Sequence, residues 1–408
     1  MQKHRIAVVS PTIDKCHGTE RRVAECVSRL SADDEVHVYS KRVDDIELAA
    51  IHWHRIPDIP GPYLLRYLWW LAANHLWRRW DSSFRGLKYD LVYSPGINCI
   101  DADVVTVHVL FSEYRRWVGD ELRFAKNPVR SWPRLIHRRL CHALITALER
   151  RIYSRPSLTL GAVSKQVAEN LRHHFGRTAP VRIVYQGTDF DVFNPEARCQ
   201  RRLEIRRQLG LTAGDFALLL IGNDWKTKGL RCLLEAISEL SGLRLRLLVV
   251  GTDDRRPFEV LAEHLGIAGR VQFLNPSKDV IGFYAAADAY VGPSLHDSFA
   301  MPPSEAMACG LPVITSSANG GSEMITDQED GLILQDPKDS HALAQLIKLL
   351  YHDCDLRRRL GENALRTARG YTWERNAHEL RELFQEVLNR KGTEKAEKVK
   401  HWKLESKN

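Results

Sequence analysis

The sequence predicts an α/β protein of two doubly wound domains in series, and three observations carry that expectation. At 408 residues the chain exceeds what one ordinary core organises. Short apolar runs alternate with segments of helical periodicity, the pattern of βαβ units and parallel sheets. That rhythm halts in a polar, turn-rich stretch at 186–200 (QGTDFDVFNPEARCQ) and then restarts.

In the first domain RIAVVSP (5–11) has a buried-strand pattern, followed by a helical pattern over ERRVAECVSRL. EVHVYSK, ELAAIHWHRI, LVYSPG, ADVVTVHVL and LTLGAVS read as its further strands. In the second domain FALLLIG (216–222), LRLLVVG, VQFL, AYVGPS and LPVITS read as strands. LRCLLEAISEL, the stretch around IGFYAAA, and SEAMAC read as helices between them. Long helices follow from 340 to 390, and the charged end KGTEKAEKVKHWKLESKN predicts a solvated, disordered tail. The expected layout is therefore residues 1–187 as one Rossmann-like domain, completed by a helix at about 370–390. Residues 188–369 form the second, and 391–408 the tail. Open parallel sheets bind ligands beyond the carboxyl ends of their strands, so the two domains are expected to face a cleft, by analogy of fold.

Composition sets the class. An apolar fraction of 44% with 27% charged residues describes a soluble globular chain. The opening MQKHRIAVVSPTID has no apolar core segment or small-residue cleavage site, which predicts no secretory signal and a cytoplasmic protein. No run of ~18 apolar residues occurs, so no bilayer-spanning segment is expected. Eight cysteines without C-x-x-C spacing read as reduced core thiols and give no zinc site. Through residue 185 there are 29 Lys and Arg against 19 Asp and Glu, whereas the remainder has 30 against 32. A basic half suits an anionic partner: a phosphorylated acceptor, a nucleotide or an anionic membrane surface. No nucleic-acid recognition module is present.

The strongest chemical signal is PSLHDSFAMPPSEAMACGLPVITS (293–316): a strand end, a loop, and a short helix begun at Pro302–Pro303 and stopped by Gly310. Amides at such a helix start suit a diphosphate. Glu305, expected in the first turn, can accept both hydroxyls of a ribose. Asp297 lies in the preceding loop, near a sugar carried on that diphosphate. Both carboxylates also fit blander roles, Glu305 as a helix-start charge and Asp297 as a loop cap. In IGNDWKTKGL (221–230) a strand ends at Gly222 and a helix follows Gly229, which projects Lys228 toward the same diphosphate.

These residues resemble glycosyltransferase family four, of the GT-B fold. Its signature of an acidic residue, seven others and Glu running into E-A-M-A-C-G-x-P-V is met by Asp297, Glu305 and Ala306 to Val313. The family's usual Glu-Gly-Phe-Gly is replaced by Asp297, Ser298, Phe299 and Ala300. Gly222, Asp224, Trp225, Lys228 and Gly229 reproduce a pattern similar to the lipopolysaccharide-core glucosyltransferase subset, with Asn223 where the family commonly has Arg. The resemblance implies a retaining, metal-independent hexosyl transfer from a nucleotide sugar, a UDP-sugar by default, with no cofactor. It implies Lys228, Asp297 and His108 as catalytic residues. It implies Gly18, Gly222, Asn223, Lys226, Ser298, Phe299, Ala300, Met301 and Glu305 as donor-binding residues. His17 becomes an acceptor-side candidate, residues 1–187 the acceptor domain and 188–369 the donor domain. The implied acceptor is a glycan, a lipid-linked sugar or a lipopolysaccharide in cell-envelope biosynthesis. For His17 a surface-loop histidine is the alternative, and for His108 a satisfied core histidine. Two further functions stay open: a nucleotide-sugar epimerase or hydrolase on the same fold, and a non-catalytic sugar-nucleotide binding protein. Finally, PYLLRYLWWLAANHLWRRW (62–80) carries Trp69, Trp70, Trp77 and Trp80 with Arg66, Arg78 and Arg79. That mixture suits peripheral attachment to the inner face of an anionic membrane.

Overall fold

The computed structural model describes residues 3–15, 18–118, 123–124 and 129–405, with the side chains of all but 115–118 and 398–405. Its contacts divide the chain into two units, residues 1–185 with 374–408, and residues 186–373. Among the described residues fifteen strands run in chain order. They are β1 (Arg5–Val9), β2 (Thr12–Ile13), β3 (Glu35–Ser40), β4 (Arg42–Val43), β5 (His52–Arg55), β6 (Leu91–Pro95), β7 (Val104–Val107), β8 (Thr159–Ala162) and β9 (Val181–Ile183) in the first unit. The second unit has β10 (Phe216–Ile221), β11 (Leu245–Val250), β12 (Val271–Leu274), β13 (Ala289–Gly292), β14 (Val313–Ser316) and β15 (Leu332–Leu334).

In the first unit the sheet order is β5-β3-β1-β6-β7-β8-β9, and every pair is parallel. The second sheet runs β12-β11-β10-β13-β14-β15, also all parallel. Each sheet is thus a doubly wound, Rossmann-like array whose order reverses beside its first strand. Strands such as FALLLI are buried almost throughout because helices cover both faces of a parallel sheet. In the second unit one face of that sheet packs Leu218, Leu220, Leu247 and Val249 against the helix Leu230–Glu239. The other face packs Ala217, Leu219 and Leu248 against Tyr284 and Met307.

Three sequence expectations change. The ELAAIHWHRI strand shortens to His52–Arg55, since Leu48–Ala50 form a 3-10 turn. The short strands β9 and β15 carry too few residues to show a period. The tail expected to be disordered is helical as far as it is described: one helix runs from Trp373 to Glu405. It is anchored by Leu380, Leu383, Phe384 and Val387, which pack with Ile6, Val8 and Tyr93 in the first core. The segment beyond 391 is rich in Glu and Lys, good helix formers that extend a helix already nucleated.

Candidate donor site

The site residues of the second unit gather where its strand order reverses, on the loops that leave β10 and β13. The β10 loop turns sharply. Gly222 has φ +142°, and a Cβ there would come within 3.1 Å of Lys228 Cε, so the lysine stem lies across the glycine. Asp224 adopts φ +56° and closes the turn with its carboxylate, accepting from Thr227 Oγ1 at 2.7 Å. Gly229 has φ +77°, and a Cβ there would lie 1.9 Å from the Pro293 carbonyl oxygen. That close approach, with Leu295 N–H donating to Thr227 O at 2.7 Å, clamps the two loops together. The Lys228 ammonium is thereby delivered onto the Asp297 carboxylate, forming a part-buried ion pair.

Asp297 is itself held on three sides. Its N–H donates to Ala318 O at 3.1 Å, its carbonyl accepts from Gly320 N–H at 2.9 Å, and Oδ1 accepts from Phe299 N–H at 3.2 Å. Asn319, wholly buried, organises the next stretch. Its Oδ1 accepts from the N–H groups of Ala300 (3.1 Å) and Gly321 (3.0 Å), and its Nδ2 donates to Thr315 Oγ1 (3.1 Å). Nothing in the sequence pattern marks Asn319, because the partner that gives it a place in the site, Ala300, lies 19 positions away.

The helix after this loop spans Met301–Ala308, so Glu305 stands in its second turn and not in the first as the sequence suggested. The helix starts one residue earlier than Pro302 because Ala300 is extended and serves as its cap. Pro302 and Pro303 contribute no N–H, and the Ala300 N–H is taken by Asn319. Met301 therefore carries the remaining N–H of that helix end. Glu305 is nearly buried and accepts from the Tyr284 hydroxyl at 2.6 Å. Burial, reinforced by that carboxylate, holds the Tyr284 phenol well above the usual range, so it stays a donor. Tyr290, under Gly292, is pushed up likewise by burial and then by the fields of Asp297 and Glu305.

The other expected donor contacts divide. Ser298, Phe299 and Ala300 are buried in the loop between Asp297 and the helix, and Met301 is half-buried. Asn223 turns toward β11, its carbonyl oxygen accepting from Thr252 N–H (2.9 Å) and Thr252 Oγ1 (3.0 Å). Beside it a cavity of about 390 Å³ opens past the ends of β11 and β12, lined by Trp225, Thr252, Asp253, Asp254, Arg255 and Asn275 among others. Trp225 is fixed there by its backbone N–H, which donates to Asp253 Oδ2 at 2.8 Å. Lys226, on the same turn, is exposed and has interactions of its own.

In the first unit, Gly18 is exposed and begins the helix Gly18–Leu30, while His17 lies outside the described residues. His108 is buried against Arg22. Arg22 donates to Nδ1 at 3.3 Å, which leaves the proton on Nε2, 3.1 Å from Thr106 Oγ1. Burial first and the Arg22 charge second depress its pKa well below the ordinary value, so the ring is neutral. Both nitrogens are engaged within this unit, the arrangement of a structural histidine.

Two family models match the chain: "Glycosyltransferase Family 4" over residues 17–192 and "Glycosyl transferases group 1" over residues 201–367. Together they span both units. The chain carries a glycosyltransferase family 4 domain followed by a glycosyl transferases group 1 domain. It is 30% identical over 266 residues to a D-inositol 3-phosphate glycosyltransferase of Corynebacterium jeikeium, covering 61% of the chain and 60% of that relative. It is 31% identical over 210 residues to the lipopolysaccharide glucosyltransferase WaaG of Escherichia coli, covering 49% of the chain and 54% of WaaG. The chain spans about six tenths of the length of the first curated relatives it matches. A crystal structure of WaaG superposes with a TM-score of 0.72 at 23% identity, covering 92% of this chain and 98% of that one. HepE of Anabaena, solved with UDP-glucose, gives 0.67 at 19% identity, covering 94% and 100%. The fold is accordingly GT-B, two domains with parallel sheets.

Proposed function

We propose that this chain is a retaining, metal-independent glycosyltransferase that moves a hexosyl group from a UDP-sugar to a glycan, lipid-linked or lipopolysaccharide-type acceptor. One observation carries the reading: the Lys228 ammonium is held against Asp297 at the strand-order reversal, one loop ahead of Glu305 on its helix. An ammonium has three N–H bonds. One goes to Asp297, and the others are available to oxygens of a diphosphate. Asp297 therefore orients the lysine as well as standing near the donor sugar. The Met301 N–H and the positive end of its helix add to the field on the phosphate. Glu305, its second oxygen steadied by Tyr284, is the acceptor for ribose hydroxyls.

In the proposed step the acceptor oxygen attacks the anomeric carbon from the face the nucleotide leaves. The bond from that carbon to the phosphate oxygen breaks with its electron pair. The departing phosphate, now more negative and stabilised by Lys228, takes the acceptor proton. Lys228 and the helix end supply the charge that a metal supplies in other transferases. The resemblance to the glucosyltransferase subset favours UDP, and a protein of the same fold was solved with UDP-glucose.

We also propose that the first unit attaches to an anionic membrane surface, which suits a lipid-linked acceptor. Its helices Tyr63–Phe84 and Trp132–Tyr153 meet where Leu64 N–H donates to His137 Nε2 at 3.2 Å. They leave Leu76, Trp80, Phe84, Ile136 and Leu140 exposed beside Arg79, Arg134 and Arg138. Trp70 and Arg78, counted in this patch from sequence, are instead buried, Arg78 being paired with Asp101 at 2.6 Å. No helix of the described residues is long and apolar enough to cross a membrane.

The test is a thermal-shift screen of UDP-, GDP- and ADP-sugars followed by product analysis. At 100 times its dissociation constant a true donor adds ~2.7 kcal/mol of stability. A chain that no nucleotide sugar stabilises lacks the proposed donor site. Turnover of donor without any acceptor would favour a hydrolase or epimerase.

A further inference from the structure

The first unit contains a chain of titratable side chains that the donor chemistry does not use. On β3, Glu35, His37 and Tyr39 share one face by the two-residue repeat of a strand. The parallel register sets His37 opposite His52 and Tyr39 opposite His54 on β5. Glu35 Oε1 lies 2.9 Å from His37 Nε2, and His37 Nδ1 lies 2.8 Å from His54 Nε2. His54 Nδ1 in turn lies 2.8 Å from Asp81 Oδ2. Asp81 also accepts from the Tyr39 hydroxyl at 2.6 Å and pairs with Arg85 at 3.2 Å, while Glu35 pairs with Arg5 at 2.9 Å. The Tyr89 hydroxyl closes the group against Tyr39.

Counting protons exposes a deficit. The run Glu35–His37–His54–Asp81 makes three contacts, and each needs one hydrogen. Two carboxylates bring none, and two neutral imidazoles bring one N–H each. Whichever tautomers are drawn, one contact sets two lone pairs face to face at under 3 Å. If His54 donates to Asp81 and His37 donates to His54, the unfilled contact is His37 Nε2 against Glu35 Oε1. There a third donor stands close: ligand atoms of Glu35, His37 and His52 all lie within 4.8 Å of one another. The His37 and His52 rings stack with centroids 4.6 Å apart. An extra proton would fill the gap by making an imidazolium either of His37, which is 3% exposed, or of His54, whose side chain is 10% exposed beside Asp81.

We propose that Glu35, His37 and His52 bind one divalent transition-metal ion of the zinc type. Imidazole and carboxylate are the ligands such an ion takes, and a closure of the trio to about 3.3 Å makes an edge of a tetrahedron with bonds of about 2.0–2.1 Å. The exposed side of His52 leaves the fourth position to water. Arg5 spans both Glu35 oxygens, Nε donating to Oε1 at 2.9 Å and Nη2 to Oε2 at 3.1 Å, so the ion would share Oε1 with it. The Asp81–His54 pair is the outer support: it fixes His37 as the Nδ1–H tautomer and turns Nε2 toward the ion. The ion ties β3 to β5 at the edge of the first sheet. This proposal involves residues of the first unit alone and stands independently of the donor reading.

The experiment uses the full chain, stripped with a chelator, dialysed and titrated with Co²⁺ while visible d–d absorption is recorded. One equivalent should saturate the band, and Zn²⁺ should displace it. His52→Ala, an exposed position, should abolish the band with circular dichroism unchanged. Glu35→Gln should do the same. His54→Phe, a change to a positioning residue, should weaken the ion by ~10–100-fold without abolishing it. Absence of a band in the native chain overturns the proposal, and so does a band that survives His52→Ala at full strength.

Discussion

The Lys228 ammonium rests on the Asp297 carboxylate although the two residues are 69 positions apart, and two glycine-shaped turns hold them there. On the proposed reading, Lys228→Ala removes the charge that would meet the leaving phosphate. Transfer should fall by ~10²–10³ in kcat. Donor affinity should change far less, since Glu305 and the helix end remain. Steady-state kinetics beside nucleotide titration separate the two quantities, and an equal loss in both would assign Lys228 to binding alone.

Gly229→Ala tests the clamp between the loops. The new Cβ meets the Pro293 carbonyl, and the φ of +77° is unfavourable for alanine. Stability should drop by at least ~1–3 kcal/mol, and activity should suffer in the protein that remains folded. A melting curve identical to the native one would mean that the loops separate freely.

Tyr284→Phe deletes one donor to a nearly buried carboxylate and little else. The expected cost is about 1.5–3 kcal/mol, read by denaturant unfolding. Nucleotide binding should weaken as Glu305 loses its orientation. Glu305→Gln in the Tyr284→Phe background should then cost less than in the native chain, which a double-mutant cycle measures.

His108 makes stability depend on acid. Its pKa is depressed in the folded state, so below about pH 6.5 the unfolded chain takes up a proton that the folded chain refuses. Stability is therefore full above that pH and declines as the pH falls. His108→Gln should flatten part of that decline while leaving the pH profile of kcat unchanged. A shifted kcat profile would give His108 a part in catalysis.

Attachment to anionic vesicles should be visible by co-sedimentation and should weaken with added salt. Trp80→Ala with Phe84→Ala should reduce it, since both side chains are exposed and neither supports the core. Equal binding to neutral and anionic vesicles would remove the electrostatic part of this proposal.

Much of the fold was legible because parallel strands buried on both faces read as apolar runs, as FALLLI and LRLLVV do. The residues of the candidate donor site were legible as a motif, since Asp297 and Lys228 sit on short loops, and Glu305 on the short helix that follows, whose turns need glycine and proline nearby. What the sequence hid was long-range. Asn319 acts by reaching back to Ala300, Tyr284 by meeting a carboxylate 21 positions away, and the His37 group by strand register. Periodicity describes which face a residue occupies, and it is silent about which neighbour shares that face. Trp70 and Arg78 illustrate the same limit, for an apparent surface stripe turned half inward once the helix packed.

The helix from Trp373 onward bears on synthesis. Leu380, Leu383, Phe384 and Val387 fill the core built around Ile6, Val8 and Tyr93, yet the whole second unit separates them in sequence from the rest of the first. A nascent chain of the first 185 residues must therefore carry an open apolar groove until that helix has been made. Chains cut before residue 380 should aggregate or be captured by chaperones, even though the second unit is already complete.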